Sequence, residues 1–365
     1  MRNYTIFFIL ILLIFAGCES GTNKTITGEY FNRKPGTIKT ASVPADSITI
    51  GSPFKNDIGY YGYTFAGTYK TTSAFSVFKF SRPGQSVLDS LLKTQMVLTV
   101  ANSWDEGTFE FALYNTQSSW ADSTVLNPSD FLDNLGAALS VSSDTASTIS
   151  YIYFPVDPVE LKIWDANRSF LVKSSVSGNS MVNLYSNESS YQPYIQYISK
   201  NGVTQDTTIV KSIAGNYWYD DGTESGVPVV SDPNDSGFIM KFPLPDLPGP
   251  IVTVNQAILH LKLADNVIVP TNMPIKLYKL DKEFTATDDI TVDSANTIDI
   301  VLKESQSTYD IDISKYMHSW YNLKSPNYGI LVKSSSVSGY PNFATLEPSD
   351  SLSIIYTTLP EVDLK

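Results

Sequence analysis

The stretch FLVKSSVSG, Phe170–Gly178, returns almost unchanged as ILVKSSSVSG, Ile330–Gly339. The two lie about 160 positions apart, and other landmarks keep the same order and nearly the same spacing. SVFKF ends at Phe80 and FIMKF at Phe242; QMVLTV starts at Gln95 and QAILHL at Gln256. Tyr114 answers to Tyr278, Trp164 to Trp320, and Tyr197 to Tyr356. The spacing wanders by only a few residues, which surface loops absorb. A tandem duplication follows. The expected units are 45–200 and 203–362, joined through SKNGVTQDTT, Ser199–Thr208.

Each copy reads as strand. In AILHLKL, Ala257, Leu259, Leu261 and Leu263 alternate with Ile258, His260 and Lys262, the period of a half-buried strand. MVLTV, FEFALY, ISYIYF, IKLYKL and YDIDI behave alike, and Gly, Pro, Asn, Asp and Ser clusters separate them. The expected fold is all-β: two tandem antiparallel β-sandwich domains, jelly-roll-like, each carrying one short helix. In the first copy Asp157 is placed to cap, Pro158 to open the helix, and Glu160 to complete a capping box, with Leu161 and Trp164 on one face. In the second, Ser314 caps and Met317, Trp320 and Tyr321 face inward.

The N-terminus reads as a targeting segment. Arg2 precedes an apolar run, Ile6–Ala16, shorter than the roughly 20 residues needed to cross a bilayer. The run ends IFAGC at Cys18, the chain's one cysteine. This resembles the bacterial lipobox, which implies a signal peptide over 1–17, acylation of Cys18 and stable anchoring by more than one acyl chain. Residues 18–44 are expected to form a flexible tether. Lipoprotein habit places the anchor in the outer membrane, on either its periplasmic or its surface side.

The order of features is similar to the DNRLRE-type β-sandwich domain, grouped with bacterial carbohydrate-binding modules. The matching stretches are VFKF and IMKF, QMVLTV and QAILHL, ALYNTQSSWADSTV (Ala112–Val125), the Trp164 and Trp320 helices, FLVKSS and ILVKSS, and QPYIQY (Gln192–Tyr197). The chain departs from that pattern in lacking a partner tryptophan for Trp120, and in lacking the tryptophan turn in its second copy. The resemblance implies a sandwich fold and a binding rather than a catalytic role.

Composition narrows the function. With 25 basic and 37 acidic residues the net charge is −12, unsuited to nucleic acid. Apart from Cys18 there is no thiol for a disulfide, a nucleophile or a metal site. The two histidines, His260 and His318, sit at polar positions, and no serine-elbow, zincin or phosphate-loop motif is present. No catalytic residue and no cofactor is therefore expected. YDDGTE and SDPNDSG offer Asp220, Asp221, Asp232 and Asp235 as oxygen ligands for calcium, or as ordinary turn residues.

The aromatic clusters GYYGY and NYWYDDG occupy matching places ahead of each copy's first core strand. Tyr60, Tyr61, Tyr63, Tyr217, Trp218 and Tyr219 are the candidate ligand-stacking side chains, with Trp104 of NSWDEG beside them. The expectation is a membrane-anchored, non-catalytic lipoprotein binding polysaccharide or another envelope component. The alternative is an assembly lipoprotein that contacts protein partners.

Overall fold

The computed structural model describes residues 38–44, 47–50 and 62–358, apart from 106–107, 117–119, 122–125, 134, 145–148, 163–166, 176–178, 221, 223–226, 234–235, 245–251, 269–271, 285–289, 322, 324, 336–339 and 348–350. The chain is an all-β sandwich protein, with 64% of residues in strands, antiparallel sheets and four short helices among the described residues. In chain order the strands are β1 (Ile38–Pro44), β2 (Ser47–Ile50), β3 (Tyr63–Tyr69), β4 (Thr72–Phe80), β5 (Leu91–Asp105), β6 (Phe109–Thr116), β7 (Ser140–Asp144), β8 (Tyr151–Val156), β9 (Arg168–Ser174), β10 (Ser180–Tyr185), β11 (Tyr194–Asn201) and β12 (Thr204–Asp220). They continue with β13 (Val229–Ser231), β14 (Gly237–Lys241), β15 (Val252–Val267), β16 (Asn272–Leu280), β17 (Val292–Lys303), β18 (Thr308–Asp312), β19 (Ile330–Ser334), β20 (Phe343–Leu346) and β21 (Ser351–Thr358). The helices are α1 (Gln85–Asp89), α2 (Pro128–Leu132), α3 (Pro158–Lys162) and α4 (Ser314–Tyr321).

The two halves share one strand plan. In the first, β11 and β8 pair with β5, β10 links β5 to β3, and β4, β9, β6 and β7 follow in order. In the second, β21, β18 and β20 pair with β15, β13 pairs with β20, and β14, β19, β16 and β17 run side by side. The long strands β5 and β15 each change partner near their middle, where a register shift bends the ladder. Gly67 is the corner of the first half. It pairs with Met181 and with Ala74 at φ +116°, and a Cβ there would stand 2.2 Å from the Ser180 carbonyl oxygen.

The quoted repeat is the centre of both cores. Phe170 and Val172 pack with Phe78, Phe80, Met96 and Leu98. Ile330 and Val332 pack with Met240, Phe242, Ala257 and Leu259. FLVKS and ILVKS are β9 and β19, each buried along the middle of a sheet.

Three elements differ from the expectation. Residues 38–44, assigned to a tether, form β1 and pair along β21 from Ile38↔Thr357 to Pro44↔Ser351. β2 pairs with β14, so this leading segment belongs with the second half. The expected link, 199–208, is a hairpin: β11 turns at Asn201-Gly202, with Gly202 at φ +61°, and β12 runs back along it. Asn-Gly between extended runs is a hairpin signal, which explains the geometry. β12 then crosses to β4, from Ser212↔Phe80 to Asp220↔Ser73. The leading strand of each repeat thus completes the other half.

Both expected helices form. The Val159 amide donates to Asp157 Oδ1 at 2.9 Å, opening α3 as the sequence implies; Trp164 lies outside the described residues. At α4 the capping role falls to Asp312 rather than Ser314. The Ser314 amide donates to Asp312 Oδ1 at 2.8 Å, while Ser314 Oγ accepts the Ala257 amide at 2.9 Å. Tyr316, Met317 and Trp320 are buried, and the Tyr316 hydroxyl reaches the Leu277 and Asn296 carbonyls at 2.7 Å each. The first half carries α1 and α2 besides. Trp120 is buried against Phe75 and Phe131, and its indole N–H donates to Ser169 Oγ at 2.9 Å.

Trp320 is the test of the helix as a core plug. Its indole Nε1 is buried with no hydrogen-bond partner among the described residues. Trp320→Ala is expected to cost about 3–5 kcal/mol in chemical denaturation. Trp320→Phe is expected to cost about 1 kcal/mol or less, because loss of an unsatisfied donor offsets the cavity.

Candidate functional site

The aromatic clusters read as ligand-stacking loops are mostly structural. Tyr60 and Tyr61 lie outside the described residues. Tyr217 and Tyr219 alternate along β12 with their side chains buried, in one cluster with Phe65, Ala74, Trp104 and Met181. Tyr340 of the second half packs on that cluster, its ring 5.9 Å from Trp104. The Tyr217 hydroxyl donates to the Pro233 carbonyl at 2.6 Å and the Tyr219 hydroxyl to the Pro341 carbonyl at 3.0 Å. These rings form the seam between the halves. Trp218 points the other way and stacks on Phe75 at 5.5 Å. Burial commits Tyr217 and Tyr219 to the seam, while Trp218 is half-buried against Phe75.

Tyr63 is the exception. It is exposed at the start of β3, its ring 5.4 Å from Tyr185, which stands 5.0 Å from exposed Tyr191.

Of the calcium candidates, Asp220 and Asp232 fall within the described residues. Asp232 is fully buried; its carboxylate takes the Ser334 hydroxyl and the Asn342 amide, the latter at 3.0 Å. Exposed Asp220 accepts the Gly222 amide at 2.9 Å, a turn contact. Asp221 and Asp235, like Cys18, lie outside the described residues. Among the described residues no group of three or more histidine, aspartate or glutamate side chains is arranged to hold a metal.

The surface that the sequence reading passed over is the outer face of the β8–β5–β11–β12 sheet. β8 alternates outward Tyr151, Tyr153 and Pro155 with buried Ile152, Phe154 and Val156. Its tyrosines are each 48% exposed, with ring centroids 6.0 Å apart. Across the register, Val97 lies between Tyr153 and Tyr194 and is wholly buried although it faces outward. Two strand spacings put Tyr153 and Tyr194 about 10 Å apart. The next row is Pro155, Gln95, Gln196 and Ile209, with Gln95 Nε2 donating to Gln196 Oε1 at 2.6 Å. Burial, then the neighbouring phenols of Tyr153 and Tyr151, push the Tyr194 hydroxyl above the usual tyrosine range. Tyr194 is therefore a neutral donor at ordinary pH. The face carries aromatic rings and side-chain amides.

The duplicated position in the second half is polar. With Gln95 matched to Gln256, Val97 corresponds to Ile258, which lies between Asp312 and Ser353. Beside it His260 Nδ1 meets Asp310 Oδ1 at 2.6 Å and Nε2 meets Ser353 Oγ at 2.9 Å. That is the connectivity of a serine nucleophile and its relay. Acyl transfer also needs donors aimed at an oxyanion. β15 is paired on both sides here, which commits its backbone amides to the ladder, and the row lies open to water. The contacts tie β18, β15 and β21 across the sheet.

No family model matches the chain, and no curated protein matches it. The sheet face is therefore judged on its own geometry, since a sandwich fold does not carry a function.

Tyr219 separates seam from ligand site. Tyr219→Phe is expected to lower stability by about 1 kcal/mol, the lost hydrogen bond. Tyr219→Ala is expected to cost about 3–5 kcal/mol, as for other buried aromatics. Thermal and chemical unfolding of the two variants check both values.

Proposed function

We propose that this chain is an exported, non-catalytic lipoprotein, anchored through Cys18 to the bacterial envelope, most naturally the outer membrane, that binds an envelope polysaccharide. The observation that carries the binding role is the exposed pair Tyr151 and Tyr153, with half-buried Tyr194 and the Gln95–Gln196 pair on the same face. Sugar rings present apolar C–H faces and hydroxyl rims. Tyrosine rings cover the first, and their hydroxyls together with amides pair with the second. A row of side chains across an open sheet face suits an extended polymer better than a compact ligand, which takes a concave pocket. Lys211 closes the Tyr153–Val97–Tyr194 row on β12 and adds a cation for a hydroxyl or an acidic group. The anchor rests on the N-terminal sequence alone: an apolar run too short to span, ending at the chain's one cysteine.

The protein lacking residues 1–19 is run through native gels containing a panel of polysaccharides. Retardation by at least one polymer is expected. Tyr151→Ala combined with Tyr153→Ala is expected to weaken it about tenfold, the equivalent of about 1.4 kcal/mol. Both side chains are exposed, so the unfolding free energy should change by about 1 kcal/mol or less. Absence of retardation on every polymer favours an assembly lipoprotein with protein partners.

A further inference from the structure

The two halves are completed in different ways, and the difference has a consequence for association. In the first half the completing strand is local. β12 follows β11 through the Gly202 turn, lies along it from Asn201↔Thr204 to Tyr194↔Lys211, and continues onto β4. In the second half the same two places, beside β21 and beside β14, are filled by β1 and β2 from the opposite end of the chain. The correspondence is close: Tyr197 of β11 faces Thr208, and its repeat partner Tyr356 of β21 faces Lys39.

Among the described residues β1 pairs only with β21 and β2 only with β14. β1 is held along β21 through its backbone ladder. Ala41 packs against the second core, while Ile38, Lys39, Thr40 and Ser42 are exposed. A segment joined to a single neighbour on each strand can open by itself while the rest of the sheet stays paired. Opening exposes two ladder edges, on β21 and on β14. Such edges accept any strand of the right register, and the strand of that register is residues 38–50 of a second copy.

We propose that the strands Ile38–Pro44 and Ser47–Ile50 are an exchangeable donor segment, and that the β21 and β14 edges of the second half take these strands from a second copy of the chain. The exchange preserves every backbone pair that the closed chain makes, so it differs from the closed form mainly in entropy. The first half cannot exchange in this way, because a tight turn ties β12 to β11. The inference is independent of any polysaccharide ligand.

The test uses the full chain with Cys18→Ser, so that introduced cysteines are the only thiols. Ser42 and Ser353 face each other in the β1–β21 register, on the polar side of both strands. Opposed residues of antiparallel strands lie about 4.5–5.5 Å apart at Cα, within disulfide range. The double variant Ser42→Cys/Ser353→Cys is expected to oxidise within the chain and run as a compact monomer. The two single variants, separately tagged, are mixed, gently destabilised with denaturant, returned to native conditions and oxidised. A disulfide-linked heterodimer at twice the monomer mass is expected. The mismatched mixture of Ser42→Cys with Thr357→Cys is expected to give far less of it. No heterodimer at any concentration, while the double variant closes on itself, overturns the proposal. Equal yields from matched and mismatched mixtures also overturn it, as does failure of the double variant to close.

Discussion

Each sandwich depends on a leading segment that closes two ladder edges. An unpaired ladder edge leaves backbone donors and acceptors open to water or to another chain. β12 removes two such edges in the first half, running beside β11 and then beside β4. β1 and β2 divide the same task in the second. Because the completing segment of each repeat lies on the other half, the domains are not cut where the sequence repeat is cut. Residues 63–220 hold the strands of one sandwich. Those of the other are 229–358 together with 38–50.

This arrangement accounts for the fate of the aromatics. The C-terminal end of β12 must leave the first sandwich and hand the chain to the second. Tyr217 and Tyr219 secure that exit by hydroxyl bonds to Pro233 and Pro341 and by packing beside Trp104 and Tyr340. Residues with that task have no surface left for a ligand. The free aromatic surface lies instead on the outer side of the first half's sheet, on β8, which pairs with β5 alone among the described residues. The same place in the second half bears Asp310, Asp312, His260 and Ser353. Duplication kept the inner faces alike and let this outer face diverge, as expected where packing constrains only one side of a sheet.

Much of this was legible in the sequence. Period-two alternation marked β15, β16 and β18, the repeat paired β9 with β19, and Asp157-Pro158 marked the start of α3. The leading strands were not legible. IKTASVP and SITI are short and mostly polar, and their place comes from the edges that they fill rather than from a buried face of their own. Asn201-Gly202 carried a hairpin signal that was outweighed by its position between two repeats. For Tyr217 and Tyr219, spacing along a strand could not reveal that a second domain covers their side. Tyr151 and Tyr153 could have been found: ISYIYF alternates tyrosine with isoleucine and phenylalanine, and in an edge strand the tyrosine face is the outward one.

The most direct test of the account is amide hydrogen exchange on the intact chain in native buffer. The account predicts slowed exchange within residues 38–44, together with the β21 amides that face them, and stronger protection across the β11–β12 hairpin. Exchange of residues 38–44 at the rate of an unstructured peptide, with the β21 edge equally open, would contradict it.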